Sequence, residues 1–211
     1  MSIQTHWESI YGSKAPDAVS WYRPHLEVSL DLIERCAAGA SASIIDVGAG
    51  ESTLVDDLVS QGYREITVLD VSKTAIEATK QRLGRSAEYV RWMLGDITQV
   101  SLRPQSFDVW HDRAVFHFLT ELTQREAYVR SVLNAVRPGG YVIVSTFGPE
   151  GPTKCSGLDV IRYCSASNRL NNIQGSAGTL HFFQDVARLG SPDEWFGILV
   201  VPVDIVSNRH N

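Results

Sequence analysis

The sequence predicts an α/β fold: a mostly parallel sheet with helices on both faces. Three observations carry that expectation. Segments of strand character alternate with segments of helical period from Ile44 to Phe147. The strands are nearly continuous apolar runs, as strands buried on both faces are. The polar and glycine-bearing motifs all fall where a strand ends, which is where an open α/β sheet binds its ligand. Together they describe a Rossmann-like sheet with right-handed crossovers, finishing in one or two antiparallel strands of irregular pattern.

The elements follow in order. An irregular loop with several aromatic residues, Ala15–His25, leads into apolar side chains at Leu26, Leu30, Ile33 and Ala37, the period of a helix over Leu26–Ala38. Ser43–Val47 ("SIIDV") reads as a buried strand, and Ser52–Gly62 as a helix closed by its glycine. Glu65–Ser72 is a second strand and Lys73–Gly84 a second helix of this unit, again ending at glycine. Glu88–Asp96 and Phe107–Asp112 give strands three and four. Thr123–Gly140 reads as a long helix with a Pro-Gly-Gly stop, and Tyr141–Phe147 as the fifth strand.

Composition narrows the function classes. Of 211 residues, 44% are hydrophobic and 20% charged, enough for a packed core. The net charge of −5, with no long basic run, argues against a nucleic-acid binder. No apolar run is long enough to span a bilayer, and "MSIQTHWESIYGSK" has no apolar signal region. Cys36, Cys155 and Cys164 lack CxxC spacing and read as reduced thiols. The expectation is a cytoplasmic protein without a metal site or a membrane partner.

The strand ends carry the chemistry. In "IIDVGAGEST" (Ile44–Thr53), Gly48 and Gly50 permit tight backbone geometry and leave room for a ligand beside a helix start. Taken alone, this is also what an ordinary strand-to-helix turn looks like. Asp70 ends the second strand, 20 residues beyond Gly50, where a carboxylate can accept from both hydroxyls of a ribose or simply cap a helix. Asp96, in "GDIT" past the third strand, can receive an adenine amine with Ile97 against the ring, or serve as a turn aspartate.

The five segments "IIDVGAGES", "VLDVS", "GDIT", "FDVWHDRAVFHFL" and "VRPGGYVIVSTF", in this order and spacing, resemble the class I S-adenosylmethionine-dependent methyltransferases. The leading "HWESIYGSKAPDAVSWYRPH" and the later "GPTKCSGLDVIRY" resemble a small bacterial subgroup of them. The resemblance runs from about Thr5 to Tyr163. It implies S-adenosyl-L-methionine as cofactor, with Asp46, Gly48, Ala49 and Gly50 around its methionine part. It implies Asp70 on the ribose, Val71 beside the adenine, and Asp96 and Ile97 gripping the adenine edge and face. His111, ending the fourth strand, would meet the cofactor near its sulfonium through its backbone carbonyl. Trp21, Tyr22 and His25 would fold over the cofactor as a lid; core packing is the competing role. Ser52 stands where the usual third glycine would, and can cap the helix instead.

The glycine spacing also separates cofactors. A nicotinamide site wants GxGxxG under a pyrophosphate. Here Glu51, Ser52 and Thr53 follow Gly50, and Glu51 would repel a pyrophosphate but tolerate a cationic sulfonium. A nicotinamide oxidoreductase is therefore the weaker enzymatic reading, and a noncatalytic cofactor-binding or interaction protein the alternative outside catalysis. The acceptor should approach "WHDRAVFHFLT" (Trp110–Thr120), with Phe116 and Phe118 as walls. His117 is the candidate base because imidazole titrates near neutrality; a packed histidine between two phenylalanines is the competing reading. Asp112 and Arg113 are expected to pair and fix the loop. The methyl acceptor is either a small molecule, slightly favoured, or a protein lysine; oligomeric state is unreadable.

Residues 1–163 form the expected cofactor-binding core with its N-terminal lid, and 164–211 an atypical C-terminal segment of the same domain. After Tyr163 the pattern lapses. Cys164–Leu180 has little periodicity, and Trp195–Val206 is strand-like, with Pro202 favouring an edge or a break. A substrate cap and an altered reading frame both remain open for this tail.

Overall fold

The computed structural model describes residues 2–163, 174–175, 178–179 and 196–203. The rest of the tail, including Cys164 and most of the atypical segment, lies outside the described residues.

Strand β1 (Ile44–Val47) shows how the apolar runs build the core. Ile44 and Ile45 are both 0% exposed but point to opposite faces of the sheet. Ile44 joins Ile33, Leu54, Leu58 and Val109 on one face. Ile45 joins Trp110, Tyr128, Val132 and Val142 on the other. Burying each such side chain is worth about 1.5–3 kcal/mol, so the run stabilises two helical layers at once.

Around β1 lie β2 (Ile66–Asp70), β3 (Val90–Leu94), β4 (Phe107–Arg113) and β5 (Val136–Phe147). With β10 (Phe196–Pro202) they form a six-stranded sheet in the order β10-β5-β4-β1-β2-β3. The five strands from β3 to β5 are parallel. Strand β10 runs antiparallel to β5, from Phe196 opposite Phe147 to Pro202 opposite Tyr141. The strand-like reading of Trp195–Val206 is found over Phe196–Pro202, and among the described strands β10 lies at the edge of the sheet; Trp195 and residues 204–206 lie outside the described residues. Two small antiparallel pairs stand apart: β6 (Lys154–Cys155) with β7 (Leu158–Asp159), and β8 (Gln174–Gly175) with β9 (Gly178–Thr179).

The helices are α1 (Ile3–Ser13), α2 (Glu27–Cys36), α3 (Leu54–Ser60), α4 (Lys73–Leu83) and α5 (Leu122–Ala135). No helix among the described residues is long and apolar enough to cross a membrane. One boundary needs correction: α5 ends at Ala135, not at the glycines, and Val136 is already extended. Pro138 is the reason, because it disfavours the helical conformation at Arg137. The chain then loops out, so that Phe107 pairs with Val136 but Val109 with Tyr141. Helix α1 has no counterpart in the sequence reading. Ser2 caps it by accepting from the Thr5 N–H at 3.1 Å. Glu8 fastens it to the start of α4, accepting from the Lys73 N–H at 2.6 Å and the Thr74 hydroxyl at 2.5 Å.

The strand order reverses between β1 and β4, and the carboxyl ends there form the crevice in which such sheets bind ligands.

Candidate functional site

A cavity of about 440 Å³ opens over those strand ends, within the size range of small-molecule sites. The turn after β1 enters it with Gly48 at φ +65° and Gly50 at φ +55°, where a side chain is strained. A Cβ on Gly48 would sit 1.9 Å from Val115 Cγ2, and one on Gly50 2.3 Å from the Tyr11 hydroxyl oxygen. The glycines are thus required by what crosses above them as well as by the turn. Arg82 of α4 holds the turn from behind, donating to the Glu51 and Ser52 carbonyls at 3.0 and 2.6 Å and to Asp56 at 2.7 Å. Ser52 is not the cap itself, which is Thr53, but stands one residue before it and accepts from the Leu54 N–H at 3.2 Å.

Asp46, Asp70 and Asp96 all line this cavity, and each is engaged differently. Asp46 accepts from His111 Nδ1 at 2.7 Å, while its Oδ2 is buried without a partner. Asp70 accepts from the Gly50 and Ser72 N–H groups, both at 2.7 Å. Burial pushes its carboxyl up to about 6 against those bonds. Asp96 accepts from the Thr98 N–H and hydroxyl at 2.8 and 2.7 Å, closing its own turn while facing the cavity.

The ring of His111 is a strut: with Nδ1 on Asp46, its Nε2 accepts from the Ser29 hydroxyl at 2.9 Å. Only its backbone is left for a ligand. Ala49, Ser52, Val71 and Ile97 line the cavity, as do Trp21 and Tyr22. Gly50 lies under Tyr11 rather than in the wall. His25 turns away from it to Asp57, at 3.0 Å.

His117 is not in the cavity wall. Its ring is 0% exposed, stacked on Phe147 at 4.6 Å with Phe118 edge-on at 4.4 Å. Burial lowers its pKa to about 4, and neither ring nitrogen has a hydrogen-bond partner. This is the geometry of a packed histidine, because no described partner reaches the ring to carry a proton. Of the two expected walls, Phe118 lines the cavity and Phe116 is buried against Tyr128.

The Asp112–Arg113 pair is also corrected. Asp112 turns inward, accepting from Tyr128 at 2.6 Å and from the Val115 and Phe116 N–H groups at 2.8 and 3.2 Å. Arg113 turns outward and donates to the Trp21 carbonyl at 3.1 Å. Both still fix the loop, through other partners. Burial raises the Asp112 carboxyl to about 6.

Sequence reasoning missed the contribution of α1. Trp7 and Tyr11, one helical turn apart, line the cavity with their rings stacked at 5.8 Å. Their spacing of four on one helix face was the available signal.

The model of a family described as a methyltransferase domain matches residues 45–144. An eEF1A lysine and N-terminal methyltransferase homolog of Drosophila melanogaster is 26% identical over 147 residues, which is 66% of this chain and 22% of that protein. A ubiquinone biosynthesis O-methyltransferase of Chromobacterium violaceum is 25% identical over 134 residues, 62% of this chain and 56% of that protein. The chain thus spans about a fifth of the first relative and just over half of the second. Among solved structures, the Burkholderia thailandensis 1,6-didemethyltoxoflavin-N1-methyltransferase with bound S-adenosylhomocysteine superposes with a TM-score of 0.72 at 19% identity. That superposition covers 96% of this chain and 87% of that one, and it establishes the fold.

Proposed function

We propose that this chain is a class I S-adenosylmethionine-dependent methyltransferase and transfers a methyl group from S-adenosyl-L-methionine to an acceptor entering beside the loop after β4. The observation that carries the proposal is the unpartnered, buried Oδ2 of Asp46 at the rim of a cavity that Asp70 and Asp96 share. Leaving such an oxygen unpaired costs about 1–3 kcal/mol or more for a charged group. A ligand with a cationic part offsets that cost, and the acidic rim suits it.

The residues fit that cofactor. Asp70 uses one lone pair on each oxygen for a backbone N–H, leaving one on each for the two ribose hydroxyls. Asp96 and Ile97, with Val71, hold the adenine. Asp46, Gly48, Ala49 and Ser52 surround the methionine part, with Gly50 shaping the turn beneath Tyr11, and the His111 backbone lies beside them. Trp21 and Tyr22 cover the site together with Tyr11, excluding water. When bound, the cofactor supplies a methyl group activated by a sulfonium. The chain supplies alignment: the turn after β1 would position the donor and the Asp112-capped loop the acceptor, and reacting atoms held about 3–3.5 Å apart gain a large proximity effect.

The acceptor is a small molecule or a protein lysine. Relatives named for lysine methylation and for ubiquinone biosynthesis both support an acceptor outside nucleic acids. The proposed setting is the cytoplasm. A second reading, a noncatalytic cofactor-binding protein, draws on the placement of His117 outside the wall.

Calorimetric titration with S-adenosylmethionine, S-adenosylhomocysteine and NADH tests the cofactor: the first two should bind and NADH should not. Incubation with methyl-labelled cofactor and cell extract, followed by separation into small-molecule and protein fractions, tests turnover. Binding without any label transfer would leave the noncatalytic reading, and no binding would end both.

A further inference from the structure

Three rings in the cavity wall have an arrangement that cofactor binding does not explain. Trp7 of α1 stands at 85° to Trp21, with centroids 6.1 Å apart, and at 78° to Phe118, with centroids 5.3 Å apart. All three are half-buried and line the cavity beside the loop that follows β4. Perpendicular rings make a corner rather than a slot. A planar aromatic acceptor stacks best along a parallel face. A corner suits a compact head group, and the electron-rich ring faces favour a positive one.

The field of the cavity points the same way. Its described wall carries four carboxylates, on Asp46, Glu51, Asp70 and Asp96, against the guanidinium groups of Arg23 and Arg113. An excess of negative charge in a recess concentrates cations there. Both guanidinium groups are engaged with backbone carbonyls, Arg113 with that of Trp21 and Arg23 with those of Ser20 and Tyr22.

Resting on the methyltransferase reading above, we propose that Trp7, Trp21 and Phe118 hold the nitrogen end of an aliphatic amine acceptor. Only the neutral amine has a lone pair to attack with, so the ammonium's proton leaves to solvent before transfer. The amine lone pair then forms the N–C bond as the S–C bond breaks, and the broken bond's electron pair stays on sulfur. Positive charge passes from sulfur to nitrogen, and the methylated ammonium releases a proton to water when it returns to its neutral form. The ring faces stabilise the charge that grows on nitrogen along this path. An amine asks no proton transfer of His117, which lies behind the wall.

Edge-to-face packing alone produces similar angles, so the test reads charge. The protein saturated with S-adenosylhomocysteine is titrated with choline and with its uncharged isostere 3,3-dimethylbutan-1-ol, followed by tryptophan fluorescence and calorimetry. Choline should bind about tenfold tighter than the isostere, as expected of a desolvated cation–π site. Phe118→Leu, which removes a ring and keeps an apolar side chain, should collapse that ratio toward equality while S-adenosylhomocysteine still binds. Trp7→Phe, which keeps a ring, should retain most of the ratio. Equal binding of the two probes to the wild type, or binding of neither, overturns the amine proposal while leaving cofactor binding intact. Failure of S-adenosylhomocysteine to bind the wild type overturns the methyltransferase reading itself. The wild-type comparison decides the question even where a variant does not fold.

Discussion

Replacing Asp70 with asparagine separates binding from folding, because the same carboxylate affects the two in opposite directions. Asp70 is 5% exposed and accepts from two backbone N–H groups at 2.7 Å. Burial nevertheless dominates and raises its pKa from 3.8 to about 6. The folded chain therefore holds this proton more tightly than the unfolded chain does. Its contribution to stability is greatest below about pH 4 and is lost as pH rises through about 6, with a total swing on the order of 3 kcal/mol. Asp112 has the same sign and window, from 3.8 to about 6. His117, lowered by burial from 6.5 to about 4, opposes them, since its contribution is lost as pH falls through 6.5. The apo protein should therefore change little in stability between pH 7 and 5, and Asp70→Asn should turn that into a loss of stability. Binding should move the other way. Asparagine keeps one acceptor oxygen but turns an NH2 group toward the Ser72 N–H or the ribose, so at least one charge-assisted hydrogen bond is lost. That bond is worth about 1.5–3 kcal/mol, or roughly a 10- to 100-fold weaker affinity for S-adenosylhomocysteine. Calorimetry at pH 7.5 measures the affinity and thermal melts between pH 5 and 8 measure the linkage. An unchanged affinity, or a melting profile with the same pH dependence in the variant as in the wild type, would refute the reasoning.

Gly48→Ala should place a Cβ at φ +65° and 1.9 Å from Val115 Cγ2; left-handed strain and overpacking together cost about 2–4 kcal/mol, read as a lower Tm with loss of S-adenosylhomocysteine affinity. Tyr128→Phe removes the hydroxyl that donates to Asp112 at 2.6 Å and accepts from Trp110 Nε1 at 2.9 Å. It leaves two buried polar groups short of a partner and should destabilise by about 2–4 kcal/mol in chemical denaturation. Tyr22→Ala should weaken cofactor affinity more than it lowers Tm, since Tyr22 lines the cavity and is half-buried; equal affinity in calorimetry would remove it from the lid.

The sheet was legible because its signal is local and repeated. Ile44, Ile45 and Val47, like Val68 and Leu69, are buried whichever face they take, so an uninterrupted apolar run was enough to mark each strand. The Pro-Gly-Gly stop marks the end of α5 too late in the sequence, because Pro138 acts on the residue before it, and the strand begins at Val136. Helix α1 was not seen at all. None of its residues is fully buried, so it lacks the apolar stripe that marks core helices. Its attachment is a carboxylate on the N-terminus of α4, between positions 65 apart in sequence, and no local pattern encodes such a partner.

The site was legible in residue type and place, and not in commitment. Asp46, Asp70 and Asp96 each stand at or just past a strand end on the same rim, and the sequence treats them alike. The structure does not: Asp70 spends both oxygens partly on backbone N–H groups, Asp96 closes its own turn, and Asp46 alone keeps a buried oxygen with nothing to accept. The same limit explains His117. Imidazole titrates near neutrality in water, but the two flanking aromatic rings remove the water that would support the charge, and its pKa falls to about 4. A motif therefore reports which atoms are brought to a strand end. Whether they are available for a ligand depends on neighbours supplied by distant segments, here Ser29 for His111 and Tyr128 for Asp112, and those are fixed only when the chain closes.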